Sequence, residues 1–185
     1  MDRFLLESPL QPIAVSFLYL VFIYKIGPKL MENRKPFDLR KIIIAYNISQ
    51  IVTNVVLFKM FFNVAPHLNI LCSPSADLSN NSTATLMLKP HYYYTLLKYY
   101  DLTETIFFVL RKKRRQISYL HVHHHIGMLA AAWISCKYFP GGQALYVGLY
   151  NTFVHTVMYC YYLLTAWNSD YGRGAWWKKY ITLMQ

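Results

Sequence analysis

Ile117-Ser-Tyr-Leu-His-Val-His-His-His-Ile-Gly-Met-Leu-Ala-Ala-Ala-Trp-Ile-Ser-Cys136 decides the class of this protein. The stretch is long and apolar enough to be a membrane helix, yet its first half carries His121, His123, His124 and His125. On a helix, His121, His124 and His125 stand at i, i+3 and i+4 and share one face, while His123 points roughly the opposite way. Polar side chains inside a bilayer are costly, so such a face belongs against other helices or a protein-lined cavity. A single buried histidine is more often a packing partner than a catalyst. Four histidines in five positions, with His155 in the next apolar run, point instead to a site of chemistry. His123 reads as structural or interfacial.

The rest of the chain repeats the pattern of long apolar blocks. Its 185 residues are 55% hydrophobic and 17% aromatic, which reads as a polytopic membrane protein rather than a soluble domain around one core. The blocks predict five spans, at about 13–26, 42–62, 91–110, 117–138 and 142–167. The first lacks the basic start and small-residue cleavage site of a signal peptide and reads as a retained helix. The third carries Lys98, Asp101 and Glu104, which a hydropathy window would reject. Those residues and Thr105 share one helical face between Tyr92-Tyr-Tyr94 and Ile106-Phe-Phe-Val-Leu110, so the stripe belongs against other helices or a polar cavity.

The charge of +11 comes in short basic clusters between the apolar blocks, the pattern of cytoplasmic loops, which argues against a nucleic-acid partner. Loops 25–41, 111–116 and 168–179 hold 14 of the 19 basic residues and are assigned to the cytoplasm, with the amino terminus lumenal. The loop at about 63–90 then faces the lumen with its sequons Asn80-Asn-Ser82 and Asn81-Ser-Thr83, while Asn47-Ile-Ser49 lies in a span and should be silent. Cys136 and Cys160 sit in apolar runs and read as small buried hydrophobes. Cys72 lies in a loop without a visible partner. His67 and His91 stand at span ends and read as solvated. Tyr-rich stretches read as packing and interfacial belts. The last residues, Trp176 to Gln185, look like the entry to a sixth span, so the chain reads as truncated at its carboxy terminus.

Lys98, Asp101, Glu104, His121, His124, His125, Asn151 and His155 form the candidate polar set, with Asn151 and His155 at i, i+4 and Met158, Tyr159 and Tyr162 continuing their face. Imidazole can act as nucleophile, general acid or base, or metal ligand, and carboxylates beside it can fix its tautomer. Basic loops at the mouth of such a cavity suit an anionic substrate. The H-x-x-H-H run also resembles the histidine boxes of membrane di-iron desaturases and hydroxylases. One box with His155, Asp101 and Glu104 is thin for two irons, though it could hold one metal.

Together the motifs resemble the animal very-long-chain fatty-acid elongases, the ELO family of membrane 3-ketoacyl-CoA synthases. Gly27 to Lys41 is similar to that family's first cytoplasmic loop. Lys98 to Thr105, followed by Ile106 to Lys113, is similar to its K-x-x-E-x-x-D-T motif. His121 to His125 fits its H-x-x-H-H box, Asn151 to Tyr162 its N-x-x-x-H-x-x-M-Y-x-Y-Y motif, and Tyr180 to Gln185 the start of its next block. Two acidic positions are exchanged, with Asp101 where the family has Glu and Glu104 where it has Asp. His123 stands where an aromatic is usual.

The resemblance implies an all-α polytopic transmembrane helix bundle, with about five of seven spans present, enclosing an acyl tunnel. Residues 1–185 would form a single transmembrane elongase domain, incomplete at its carboxy terminus. The implied activity is condensation of acyl-CoA with malonyl-CoA to 3-ketoacyl-CoA, in the endoplasmic reticulum membrane. No metal or other cofactor is implied. His124 would be the nucleophile, Asn151 and His155 would orient malonyl and stabilise the enolate, and His121, His125, Asp101 and Glu104 would set tautomers or relay protons. Lys98, Thr105, Arg111, Lys112, Tyr159 and Tyr162 would bind substrate. The implied partners are membrane lipid and the 3-ketoacyl-CoA reductase, dehydratase and enoyl reductase of the cycle, and a homo-oligomeric state is left open. A metal-dependent desaturase or hydroxylase and an inactive fragment are the alternatives.

Overall fold

The computed structural model describes residues 6–65 and 81–168, and among these every regular element is a helix. In order they are α1 (Leu10–Val21), a π-helical segment (Phe22–Ile26), α2 (Gly27–Met31), α3 (Arg40–Val64), α4 (Asn81–Leu110), a 3₁₀ turn (Arg114–Gln116), α5 (Tyr119–Tyr138) and α6 (Ala144–Trp167). Leu10–Met31 runs continuously, and it and Arg40–Val64 are long and apolar enough to cross a membrane. The expectations for His67, Cys72, Asn80, the 168–179 loop beyond Asn168 and the run from Trp176 concern residues outside the described ones.

The side chains are arranged with their polarity turned inward. Helix α3 buries Asn47, Gln50 and Asn54 and exposes Ile48, Val52, Val55 and Val56. Helix α4 buries Lys98, Asp101 and Glu104 and exposes Tyr93 and Tyr100. In water this distribution would leave apolar surface solvated and charges desolvated. In lipid the apolar surface carries no penalty, and polar groups must find partners inside the protein.

The described chain forms two compact units. The first draws on Met1–Asp38 and His91–Pro140. Its apolar core joins Tyr19, Ile23, Met31, Leu102, Val109, Val122 and Leu129. The π-helical bond from Gly27 N–H to Phe22 O precedes Pro28, whose ring cannot donate to the ordinary ladder. Gly27 also lets the backbone approach α4: a Cβ there would lie 2.6 Å from Val109 Cγ1 and 2.9 Å from Phe22 O. At the end of α4, Lys113 N–H donates to Phe108 O (2.9 Å) and Lys112 N–H to Val109 O (3.0 Å), closing a Schellman turn with Lys112 at φ 54°. Phe37 N–H donates to Leu110 O (3.1 Å) and Lys112 Nζ to Glu32 O (3.3 Å), so the two basic loops of this unit lie side by side. Lys137 Nζ donates to Glu7 O (2.9 Å), which ties the end of α5 to the segment before α1.

The second unit draws on Leu39–Pro90 and Gly141–Gln185, with α3 and α6 packed antiparallel. Tyr46 meets Tyr159 edge-on at 5.9 Å, and Phe58 meets Phe153 at 6.0 Å. Arg40 Nε donates to Ala166 O (3.0 Å), and its Nη2 donates to Trp167 O. Gly148 makes the crossing close, since a Cβ there would lie 2.6 Å from Phe61 Cζ, and Phe61 is wholly buried.

Three expectations are corrected. Helix α4 starts at Asn81, so the stretch before Pro90 is helical rather than loop, and Pro90 lies inside the helix. His91 therefore stands three turns into α4 and is 3% exposed, not solvated. Cys136 is buried as expected, but Cys160 is exposed, because α6 turns its Thr152–His155–Tyr159 face inward and Cys160 away.

Candidate active site

Two helices of the first unit build the titratable cluster. Ser118 caps α5: its Oγ accepts from His121 N–H at 3.1 Å, satisfying one of the donors that every helix start leaves open. The cap fixes where the helix begins, and hence which way His121 and His125, one turn apart, project. Their rings lie 4.4 Å apart in an edge-to-face contact. Across from them, α4 supplies Glu104 and Thr105. Glu104 Oε2 lies 3.9 Å from His125 Nε2, and Thr105 Oγ1 lies 2.9 Å from His121 Nε2.

Thr105 also holds a residue that the sequence did not single out. Tyr19 Oη, on α1, lies 2.7 Å from Thr105 Oγ1. Tyr19, Thr105 and His121 thus form a hydrogen-bonded chain across three helices. Nothing in the sequence marks Tyr19 among 17 tyrosines. A pairwise polar periodicity between α1 and α4 is not visible from either segment alone.

One turn before Glu104, Lys98 Nζ donates to Asp101 Oδ2 at 2.8 Å, with the two residues 3% and 1% exposed. The ammonium also sits 4.7 Å from the centre of the Tyr94 ring. The two carboxylates therefore meet different partners, Asp101 a lysine of its own helix and Glu104 a histidine of α5. The charged stripe expected on α4 is present as a buried face.

His124 ends up differently placed from its neighbours. Its ring stands 5.9 Å from His125, nearly perpendicular, and the residue is exposed, whereas His125 is buried. His123 points away as its position requires, stacking on Tyr119 at 3.6 Å with Nδ1 2.9 Å from Tyr119 O. Arg111 and Lys112 stand in the turn after α4, Lys112 exposed. Glu104, His121 and His125 each offer one donor atom within 4.8 Å of the others, so this trio could hold a metal ion by its chemistry.

The second unit holds the other residues singled out. On α6, His155, Thr152 and Tyr159 are buried on the stripe that includes Gly148, while Asn151 and Tyr162 are half-buried beside it. Thr152 Oγ1 donates to Gly148 O at 2.9 Å, and the His155 and Tyr159 rings lie 5.7 Å apart. Facing them on α3 is a polar row that the sequence reading passed over except for the buried sequon at Asn47. Gln50 Nε2 donates to Tyr46 Oη at 2.7 Å, and Asn54 Nδ2 donates to Gln50 O at 2.8 Å and to Gln50 Oε1 at 3.2 Å.

The model of the GNS1/SUR4 (ELO) family matches residues 4–185. The chain belongs to this family. It is 41% identical to a very long chain fatty acid elongase of Aedes aegypti over 98% of this chain and 51% of that protein. Very long chain fatty acid elongase 4 of Homo sapiens is 37% identical over 98% of this chain and 58% of its own length. Very long chain fatty acid elongase 7 of Drosophila melanogaster is 40% identical over 100% of this chain and 56% of its own length. This ELO-family chain thus spans about half to three-fifths of the relatives it matches. Family and helices agree on an all-α membrane protein of polytopic type.

Proposed function

We propose that this ELO-family chain carries the condensing chemistry of fatty-acid elongation. Acyl-CoA and malonyl-CoA would give 3-ketoacyl-CoA, carbon dioxide and CoA. The observation that carries the reading is the buried cluster of Glu104, Thr105, His121 and His125 beside the open ring of His124. An imidazole left open can attack a thioester, while those behind it are held by hydrogen bonds and a carboxylate. His124 Nε2 or Nδ1 would add to the thioester carbonyl, the C–S bond would break, and CoA would leave with the proton. Malonyl-CoA would then lose carbon dioxide, and its enolate carbon would displace the imidazole from the acyl group. Glu104, His121 and His125 would set the tautomer and carry the proton, and Asp101 would hold Lys98. Asn151 and His155 are assigned malonyl orientation and enolate stabilisation on the family resemblance. Thr105, Tyr159, Tyr162, Arg111 and Lys112 are assigned substrate contacts on the same ground.

The five spans and their orientation belong to this reading. The side-by-side basic loops at Glu32–Lys112, and the Arg40 contacts at the end of α6, support one shared basic side in each unit. The amino terminus would be lumenal, the membrane that of the endoplasmic reticulum, and the reductases and dehydratase of the cycle the partners. No cofactor is assigned.

The test is condensation in isolated microsomes, with radiolabelled malonyl-CoA and a panel of acyl-CoAs. The 185-residue form and a form extended with a relative's carboxy-terminal spans would be compared, each with His124→Ala and each with a chelator. Histidine-dependent, chelator-resistant 3-ketoacyl-CoA from either form supports the reading. Loss of activity to chelator, restored by iron or zinc, would move the Glu104–His121–His125 trio to the role of metal site.

A further inference from the structure

Tyr19 lies outside every motif, yet it ends a hydrogen-bonded chain whose protons can be placed. Thr105 Oγ1 stands between Tyr19 Oη (2.7 Å) and His121 Nε2 (2.9 Å), and the distances alone do not say which atom gives each proton. A threonine hydroxyl has one proton and two lone pairs, a tyrosine hydroxyl one proton, and a neutral imidazole one proton on either nitrogen. Other threonines of these helices spend their proton on their own backbone: Thr95 Oγ1 donates to His91 O, Thr152 to Gly148 O and Thr156 to Thr152 O. Thr105 makes no such bond. Among the described residues its hydroxyl meets only Tyr19 Oη and His121 Nε2, and Tyr19 Oη meets only Thr105.

Three arrangements of the protons are then open. If His121 Nε2–H donates to Thr105 and Thr105 donates to Tyr19, the Tyr19 proton has no acceptor. Its surroundings are the apolar core with Ile23, Leu102, Val109 and Val122, and Tyr19 is 6% exposed. If Tyr19 and His121 both donate to Thr105, the proton of the wholly buried Thr105 has no acceptor. If Tyr19 donates to Thr105 and Thr105 donates to His121 Nε2, every proton is placed. Buried donors without acceptors are expensive and rare, so the third arrangement wins. In it His121 Nε2 accepts, and the ring carries its own proton on Nδ1. Histidine in water has the opposite preference, with the proton mostly on Nε2.

We infer that Tyr19 is a positioning residue which, through Thr105, fixes His121 as its Nδ1–H tautomer, so that His121 meets the reacting groups as a hydrogen-bond donor and not as a base. The catalytic consequence rests on the condensing reading. There, an N–H suits the oxygen that gains charge when His124 adds to the thioester carbonyl. The tautomer itself rests only on the hydrogen bonds. Helix α1, which carries no residue of the histidine or acidic motifs, thereby takes part in the chemistry.

The test is magic-angle-spinning NMR of the purified chain in lipid nanodiscs with isotope-labelled histidine, His121 being assigned through its backbone. The ring nitrogens of the two tautomers resonate far apart. In the wild type the Nδ1–H form of His121 should prevail by about tenfold or more. Tyr19→Phe removes the proton source and frees the Thr105 hydroxyl to donate to its own helix, so Nε2–H should become the major form. A wild-type His121 protonated on Nε2, alone or together with Nδ1, overturns the inference, and that measurement needs no variant to fold. An unchanged tautomer in folded Tyr19→Phe also overturns it, since Tyr19 would then pack without directing. Condensation in microsomes separates the inference from the reading beneath it. Tyr19→Phe should lower kcat by about half or more, in step with the lost Nδ1–H fraction, and leave KM for acyl-CoA unchanged. A changed tautomer with unchanged kcat overturns the donor role. A wild-type chain that shows the Nδ1–H tautomer yet makes no 3-ketoacyl-CoA, in the 185-residue or the extended form, removes the condensing reading and leaves the tautomer lock standing.

Discussion

Replacing Thr105 with valine tests the chain that joins three helices of the first unit. Thr105 is wholly buried, and valine copies its shape, so the change removes a hydroxyl and little else. Two groups lose their partner at once: Tyr19 Oη, held at 2.7 Å, and His121 Nε2, held at 2.9 Å. A buried polar group left unsatisfied costs about 1–3 kcal/mol, so Thr105→Val should destabilise the fold by roughly 3 kcal/mol. Tyr19→Phe alone removes one hydroxyl and leaves the Thr105–His121 bond in place, and should cost about 1 kcal/mol. The double variant is the decisive one. With Tyr19 now phenylalanine, valine strands only His121, so the pair should be more stable than Thr105→Val alone, by about 1 kcal/mol. Reversible unfolding in mixed micelles, followed by tryptophan fluorescence, ranks the four proteins. A double variant less stable than Thr105→Val, or additive losses across the cycle, would refute the chain as an energetic unit.

Gly148→Ala should destabilise the second unit by about 1–3 kcal/mol, because a methyl would meet the buried Phe61 ring 2.6 Å away; Phe61→Leu in the same protein should recover part of the loss on thermal unfolding. Lys112→Gly should raise stability by about 1 kcal/mol on thermal unfolding, since φ 54° strains any residue with a Cβ and the bond given up, Lys112 Nζ to Glu32 O, is exposed and long at 3.3 Å; a loss of stability would show that this bond outweighs the strain.

Much of this was legible because chemistry and periodicity coincided. The histidine run and the Lys98–Asp101–Glu104–Thr105 stripe each carry polar residues at helical spacing in an apolar context, and both became buried faces. The family motifs sit on those same residues. Three features escaped for physical reasons. Tyr19 is one tyrosine in an apolar helix, and only the fold brings it to Thr105. The start of α4 was hidden by Pro90 and the polar residues before it, which read locally as loop although the helix runs through them. The row Asn47, Gln50 and Asn54 did have a signal, i, i+3 and i+7 in an apolar span. Asn47 reads locally as part of a sequon instead, and amides carry no charge to make a stripe stand out. His124 shows the reverse limit: spacing set it on the same face as His121 and His125, but the packing of α4 covers only those two.

The Lys98–Asp101 pair has a bearing on how α4 enters a bilayer. Its members are three residues apart on one helix, 2.8 Å apart at their charged atoms, so the contact needs no other part of the protein. It can close as soon as one turn has formed, while the chain is still being synthesised. A lysine and an aspartate delivered separately would each face the full penalty of a lone charge in hydrocarbon. Delivered as a closed dipole, with the Tyr94 ring against the ammonium, they cross as a near-neutral unit. Moving the aspartate to a position that only a neighbouring helix could satisfy would make insertion of α4 wait on assembly.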